Sequence, residues 1–205
     1  MRDDSVKRYL STIKDGTVFS IQDILVKGSS YDSLKTQLSK ACSAGQIKRI
    51  VRGIYYKPKF SPLLNDYVRY KVQDLVNAIA RMNRWRILPS GNMCLNLLGL
   101  STQVPSQHIY YSNGPNHKYD VDGICIEFRH RSPRDFPDSD DAAIVIQAVK
   151  ARGKEYCDDE FLAALSGYIH KNCICGLLED SHGAVSWVRK VISDACAWGT
   201  PAKII

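Results

Sequence analysis

The sequence predicts an α+β chain in which three short helices and a basic β-hairpin come first, followed by a small antiparallel sheet packed with helices. Three observations predict it. Apolar residues recur at helical spacing in three runs before residue 45; β-branched and aromatic runs flank a glycine between residues 46 and 57; and beyond residue 87 short extended runs give way to three longer helical ones. With 205 residues, 44% of them hydrophobic and 24% charged, the chain has the composition of a folded protein of one large or two modest domains.

Ser5 to Ile13 reads as the first helix, because Val6, Tyr9, Leu10 and Ile13 fall on one stripe. Asp15-Gly16 ends it, Thr17 to Phe19 is extended, and Ser20 caps a second helix that carries Ile21, Ile24 and Leu25 and stops at Gly28. Ser29 and Ser30 are N-cap candidates for a third helix reaching Ala44, with Gly45 in the C′ position. Leu34, Leu38 and Ala41 form its buried stripe. A rotation of about 100° per residue puts Asp32, Thr36, Ser39 and Ser43 on the opposite side, flanked by Ser33, Lys35 and Lys40.

Gln46 to Val51 and Ile54 to Lys57, joined by Arg52-Gly53, form the hairpin. Three helices followed by a basic hairpin is the order of a winged helix-turn-helix, whose third helix enters the major groove of DNA while the wing reaches neighbouring phosphates. On that reading residues 1–58 are a DNA-binding domain. Ser30, Ser33 and Thr36 would meet base edges, Lys40, Arg49 and Arg52 would hold phosphates, and Lys35, Lys48 and Tyr55 complete the expected contact set.

The charge distribution points the same way. The formal net charge of +7 is uneven: residues 1–58 hold 11 Lys and Arg against 5 Asp and Glu, residues 59–86 hold 6 against 2, and residues 87–205 hold 11 against 14. A polyanion partner therefore belongs with the N-terminal half.

Pro58 to Pro62 should interrupt ladder hydrogen bonding, which places the domain boundary there and begins the second domain at residue 59. Val68, Val72, Leu75, Val76, Ile79 and Met82 then predict a connecting helix over 63–84 that packs on the second domain, with Arg69, Lys71, Arg81, Arg84 and Arg86 extending the basic surface. Leu88 to Gly91 is a turn and Asn92 to Leu98 a short helix. Strands follow at His108–Ser112, Lys118–Val121 and Ile124–Arg129, then a loop at Ser132–Asp138 and helices at Asp140–Ala151, Asp158–Lys171 and Val185–Trp198. Trp85, Trp187 and Trp198 are expected in packing positions.

Two stretches resemble a known family. Gly45-Gln46-Ile47-Lys48-Arg49-Ile50-Val51-Arg52-Gly53-Ile54-Tyr55-Tyr56-Lys57-Pro58 resembles the wing of AbiEi-like antitoxins of type IV toxin-antitoxin systems, and the block from Leu88-Pro89-Ser90-Gly91 to Leu100-Ser101-Thr102-Gln103-Val104-Pro105 resembles the start of that family's second domain. The likeness spans about residues 5–150. It implies an N-terminal domain that binds operator DNA upstream of its own operon and represses it, with roles for Arg49, Arg52, Gly53 and Tyr55 in the wing. It also implies a C-terminal domain that counters a nucleotidyltransferase-like toxin without a stable complex. An operator built as an inverted repeat would suit a homodimer on double-stranded DNA.

Other chemistries have weaker footing. His170, Cys173, Cys175 and His182 include zinc-ligand types, but a Cys-x-Cys gap is tighter than the usual spacing and no second pair exists. Asp122 and Glu127 are a candidate carboxylate pair for a metal-dependent nuclease, with Arg129 where such a site wants a lysine. The alternative reading is thus a nucleic-acid-processing enzyme delivered by its N-terminal domain, and a third is an adaptor that recruits another protein to DNA. With no phosphate loop, nucleophile elbow or His-Glu-x-x-His, the expectation is a regulator that is not an enzyme and has no metal or cofactor. Seven scattered cysteines, no secretory apolar run and no span near membrane length point to a reduced, cytoplasmic setting without a membrane partner.

Overall fold

The computed structural model describes residues 4–25, 30–103, 107–132, 136–137, 139–172, 174 and 176–198, and among them nine α-helices and three small sheets form a mixed α+β chain. No helix among the described residues is long and apolar enough to cross a membrane. The chain divides into two compact units, Met1–Trp85 and Arg86–Ile205.

In the first unit, α1 (Ser5–Thr12) buries Val6 and Leu10, β1 (Val18–Ser20) is buried throughout, and α2 (Ile21–Ile24) and α3 (Tyr31–Ser43) follow. Gly28 and Ser29, the expected stop and alternative cap, lie outside the described residues. Gly45, at φ +69°, terminates α3: its N–H donates to the Cys42 carbonyl and the Gln46 N–H to that of Ala41, the paired bonds of a glycine C-cap. The hairpin consists of β2 (Lys48–Val51) and β3 (Ile54–Tyr56), and β3 lies between β1 and β2 in an antiparallel sheet. Val6, Leu10, Phe19, Ile21, Ile24, Leu34, Leu38, Ala41, Ile47 and Tyr55 close a core between the helices and one face of that sheet.

The Pro-bounded stretch is not a break. Pro58 and Pro62 flank β4 (Lys59–Ser61), which pairs antiparallel with β5 (Asp66–Val68); neither proline occupies one of the paired positions, so the ladder loses no donor. The helix expected from residue 63 therefore begins only at Val72, as α4 (Val72–Asn83). Its Leu75, Val76, Ala78 and Ile79 are buried and it packs against β1 and α2, within the first unit. A Cβ on Gly53, at the hairpin turn, would come within 2.9 Å of the Met82 sulfur of α4.

The second unit starts with β6 (Ile87–Pro89), where a turn was expected, and α5 (Gly91–Leu97). Three strands follow, β7 (His108–Ser112), β8 (His117–Val121) and β9 (Ile124–His130), in a sheet of order β6-β7-β9-β8. The sheet is mixed, not wholly antiparallel. Asp122 (φ +52°) and Gly123 (φ +76°) make a two-residue turn that folds β9 back between β8 and β7, and a third strand placed there must run parallel to the first. Four helices complete the unit: α6 (Asp140–Arg152), α7 (Asp159–Lys171), α8 (Leu177–Asp180) and α9 (Ser186–Ala197). Ser139 and Asp158 cap α6 and α7 by accepting from the Ala142 and Phe161 N–H groups. Their apolar stripes bury Val145, Val149, Leu165, Ile169, Val188 and Ile192 together, with Trp187 packed at the edge.

Candidate nucleic-acid interface

The residues of α3 sort by angle around the helix. Leu34, Leu38 and Ala41 are buried, while Asp32, Lys35, Thr36, Ser39, Lys40 and Ser43 are exposed. Lys35, Thr36, Ser39, Lys40, Ser43 and Ala44 line a shallow open groove along the helix. The short hydroxyls are held close to their own backbone: Thr36 Oγ1 donates to the Asp32 carbonyl at 3.0 Å and Ser43 Oγ to that of Ser39 at 3.2 Å. That keeps the centre of the stripe low between the two lysines.

Lys35 and Lys40 bound this stripe on opposite edges. Lys35 lies on the side of Tyr31 and Cys42, and Lys40 on the side of Ser33 and Gln37. Gln37 identifies the second edge as the one facing α1, because its Oε1 accepts the Val6 N–H at 3.1 Å and its Nε2 donates to Ser33 Oγ at 3.1 Å. Ser33 is thus half-buried and engaged within the unit.

The first edge faces the hairpin. Arg49 is opposite Tyr55 in the β2–β3 register, so the two side chains share the sheet face turned toward α3. Burial pushes the Cys42 thiol and the Tyr55 phenol up, and the Arg49 charge opposes the shift at both, which puts the guanidinium beside the edge of α3. Arg49 itself is exposed, with its Nε donating to the Val51 carbonyl at 3.5 Å. Lys35, Lys40 and Arg52 are exposed and make no ion pair among the described residues, and Ser30 is exposed at the helix start.

Two of the expected contacts stand apart from this surface. Tyr55 is 7% exposed and stacks on Phe19 with ring centroids 5.8 Å apart, so it is a core residue; three consecutive buried positions in β3 hide the inward direction of its ring from a reading of composition. Lys48 is on the other face of the sheet, opposite Tyr56, where its ammonium sits 5.3 Å from the Tyr67 ring centroid. The basic residues beyond the hairpin are partly committed as well. Arg81 pairs with Asp23 at 3.3 Å, and Arg86 pairs with Asp140 at 3.2 Å and donates to the Phe136 and Pro137 carbonyls within the second unit.

Lys57 shows what the sequence conceals most completely. Its Nζ donates to the carbonyls of Leu10 (2.9 Å) and Ile13 (3.0 Å) and pairs with Asp15 at 2.9 Å, which neutralises the C-terminal end of α1. Charge alone does not distinguish it from Lys48 or Arg52.

The carboxylate pair expected from the sequence is not brought together. Asp122 sits in the β8–β9 turn, whereas Glu127 is mid-strand and held by Arg129 at 3.0 Å and 3.3 Å; that hydrogen bond keeps the Glu127 carboxyl below its usual range. Cys173 and Cys175 lie outside the described residues, and among the described residues no three His, Cys, Asp or Glu side chains gather as metal ligands.

No curated protein and no solved structure matches the chain. A family model does, over residues 5–174, and that span covers α1 through the segment after α7. The chain therefore belongs to the family of unknown function DUF6088.

Proposed function

We propose that the first unit is a winged helix-turn-helix that binds duplex DNA, with α3 as the helix presented to the major groove. The observation that carries this reading is the stripe on α3, a low polar surface walled by Lys35 and Lys40 with Arg49 alongside. A helix of 13 residues is about 20 Å long, and the major groove, about 12 Å wide, admits one helix with its side chains. The charge of the unit supports it: residues 1–85 hold 16 Lys and Arg against 7 Asp and Glu.

Within this reading Thr36 and Ser39 face base edges, Asp32 is an acceptor for a cytosine amine, and Lys35, Lys40, Arg49 and Arg52 hold phosphates. The wing is short, since the hairpin turn consists of Arg52 and Gly53 alone. The biological role that fits is a repressor of its own operon, binding an inverted repeat as two copies. The resemblance to AbiEi-like proteins supports an antitoxin role against a nucleotidyltransferase-like toxin without a lasting complex.

A gel shift with the DNA upstream of the coding sequence, run across several salt concentrations against unrelated DNA, tests the first claim. Saturable binding with preference for the upstream fragment and a steep salt dependence is expected. Equal, weak retention of both fragments would remove the sequence-specific reading. Co-expression with the product of the adjacent gene tests the second: rescue of growth is expected, and growth arrest unrelieved by this protein refutes the antitoxin role.

A further inference from the structure

The β4–β5 hairpin carries the densest exposed apolar surface among the described residues. Phe60 (49% exposed), Leu63 (93%), Leu64 (67%) and Tyr67 (53%) all fall between Phe60 and Tyr67, and no stretch of equal length elsewhere holds more than two such side chains.

The turn that presents them has a defined course. Pro62 fixes its own φ, and Asn65 adopts the left-handed conformation at φ +48°, which asparagine tolerates. Turns of this kind ask for Gly, Pro, Asn, Asp or Ser, and nothing in their geometry asks for leucine. Leu63, almost wholly in water, adds no packing to its own unit. Behind the turn, Phe60 and Tyr67 pair across the strands with ring centroids 5.5 Å apart. A two-stranded ribbon is marginally stable by itself in water. This one is tied to the unit by the Tyr56 hydroxyl, which donates to the Val68 carbonyl, and by Lys48 beside the Tyr67 ring.

Charge and area both suit a second copy of the chain. Residues 1–85 hold 16 Lys and Arg against 7 Asp and Glu, whereas Lys59 to Val68 hold one cation, Lys59, and one anion, Asp66, both exposed. A polyanion finds no excess of positive charge on this hairpin, and two basic units meeting here bring no like-charged surfaces together. One charge of each sign is also what a surface needs in order to match itself. The four apolar residues together expose roughly 500 Å², the size at which an apolar patch on a monomer marks a partner surface. Two such patches in contact bury about 1,000 Å², where specific interfaces begin. Lys48 and Tyr67 lie on the sheet face turned away from α3, so a copy docked on the hairpin leaves α3 uncovered.

We propose that the β4–β5 hairpin is the contact through which two copies of this chain dimerise about a two-fold axis, with Leu63 and Leu64 at its centre. It supplies the meeting point for the two copies in the reading above, but it does not rest on DNA binding, because its test contains no DNA.

Sedimentation velocity of the full chain from low to high micromolar concentration provides that test, and a monomer–dimer equilibrium is expected. Leu63→Lys combined with Leu64→Lys should raise the dissociation constant at least about tenfold. Leu178→Lys, at an exposed leucine of α8, should leave it unchanged. Circular dichroism verifies that each variant is folded, and Leu63→Ser alone, at the most exposed position, keeps the test available if the double variant is not. A chain that stays monomeric at every concentration, or a dimer as tight in the leucine variants as in the wild type, overturns the proposal. So does a monomer that co-sediments with phosphatidylcholine vesicles and loses them on the leucine substitutions, which assigns the patch to a lipid surface instead.

Discussion

The Asp23 carboxylate joins the start of α2 to α4: Oδ2 accepts the Ser20 N–H at 2.7 Å and the Ser20 hydroxyl at 3.1 Å, and Oδ1 accepts from Arg81 Nε at 3.3 Å. A reciprocal cap and an interhelical ion pair thus share one side chain. Because Arg81 is half-exposed, its pair with Asp23 contributes less than about 1 kcal/mol, and the cap is the larger effect.

Asp23→Ala should therefore lower unfolding stability by about 1–2 kcal/mol and Arg81→Ala by under about 1 kcal/mol. Urea denaturation of the full chain measures both. Equal losses would show that the ion pair, not the cap, carries the contact.

Among the basic residues, the geometry separates those that face outward from those that are committed inside the fold. Lys40→Ala and Arg52→Ala should each weaken binding to every DNA sequence and reduce the slope of log K against log salt by about one. Lys57→Ala should leave that slope unchanged and lower the Tm, because its ammonium caps α1. A slope altered by Lys57→Ala and untouched by Lys40→Ala would reverse the assignment.

Tyr55→Phe should keep DNA affinity within about twofold, whereas Tyr55→Ala, which empties a core site next to Phe19, should cost roughly 3–5 kcal/mol in stability. A Tyr55→Phe protein that folds normally yet loses DNA binding would return the phenol to the interface.

Gly91 permits α5 and α6 to approach closely: an added Cβ would stand 2.5 Å from the Ala151 Cβ and 2.9 Å from the Gln147 carbonyl oxygen. Gly91→Ala should cost about 1–3 kcal/mol by overpacking. Ala151→Gly in the same chain should restore part of the loss, since the carbonyl clash remains. Full restoration would show that the Ala151 methyl is the whole obstacle.

Burial pushes the Cys94 thiol up to about 12, so at pH 8 it is almost entirely protonated, and only the thiolate is nucleophilic. Cys125 is exposed. Alkylation of the native protein at pH 8, followed by peptide mass spectrometry, should label Cys125 within minutes and spare Cys94 until urea is added. Early labelling of Cys94 would show that this part of the second core opens readily.

Local patterning was enough to locate α3, its buried stripe, the Gly45 cap and the β2–β3 hairpin, because helical and strand periods and a glycine at positive φ are written within a few residues. The same patterning predicted a helix where β5 runs, since Val68 continues the apolar spacing of α4 by chance while the strand is specified by its pairing with Lys59–Ser61. It predicted a break at Pro58 to Pro62 because it could not tell that both prolines flank the strand.

What the order of residues determined by itself was an α+β chain with its positive charge concentrated in the N-terminal half and a third helix with one apolar and one polar side. Only the tertiary structure decided that Tyr55 points inward, that Lys57 is spent on a helix end, and that β9 inserts between β7 and β8. Each of these depends on contacts between residues tens of positions apart, and such contacts are set by the free energy of packing the whole unit, which no local window contains.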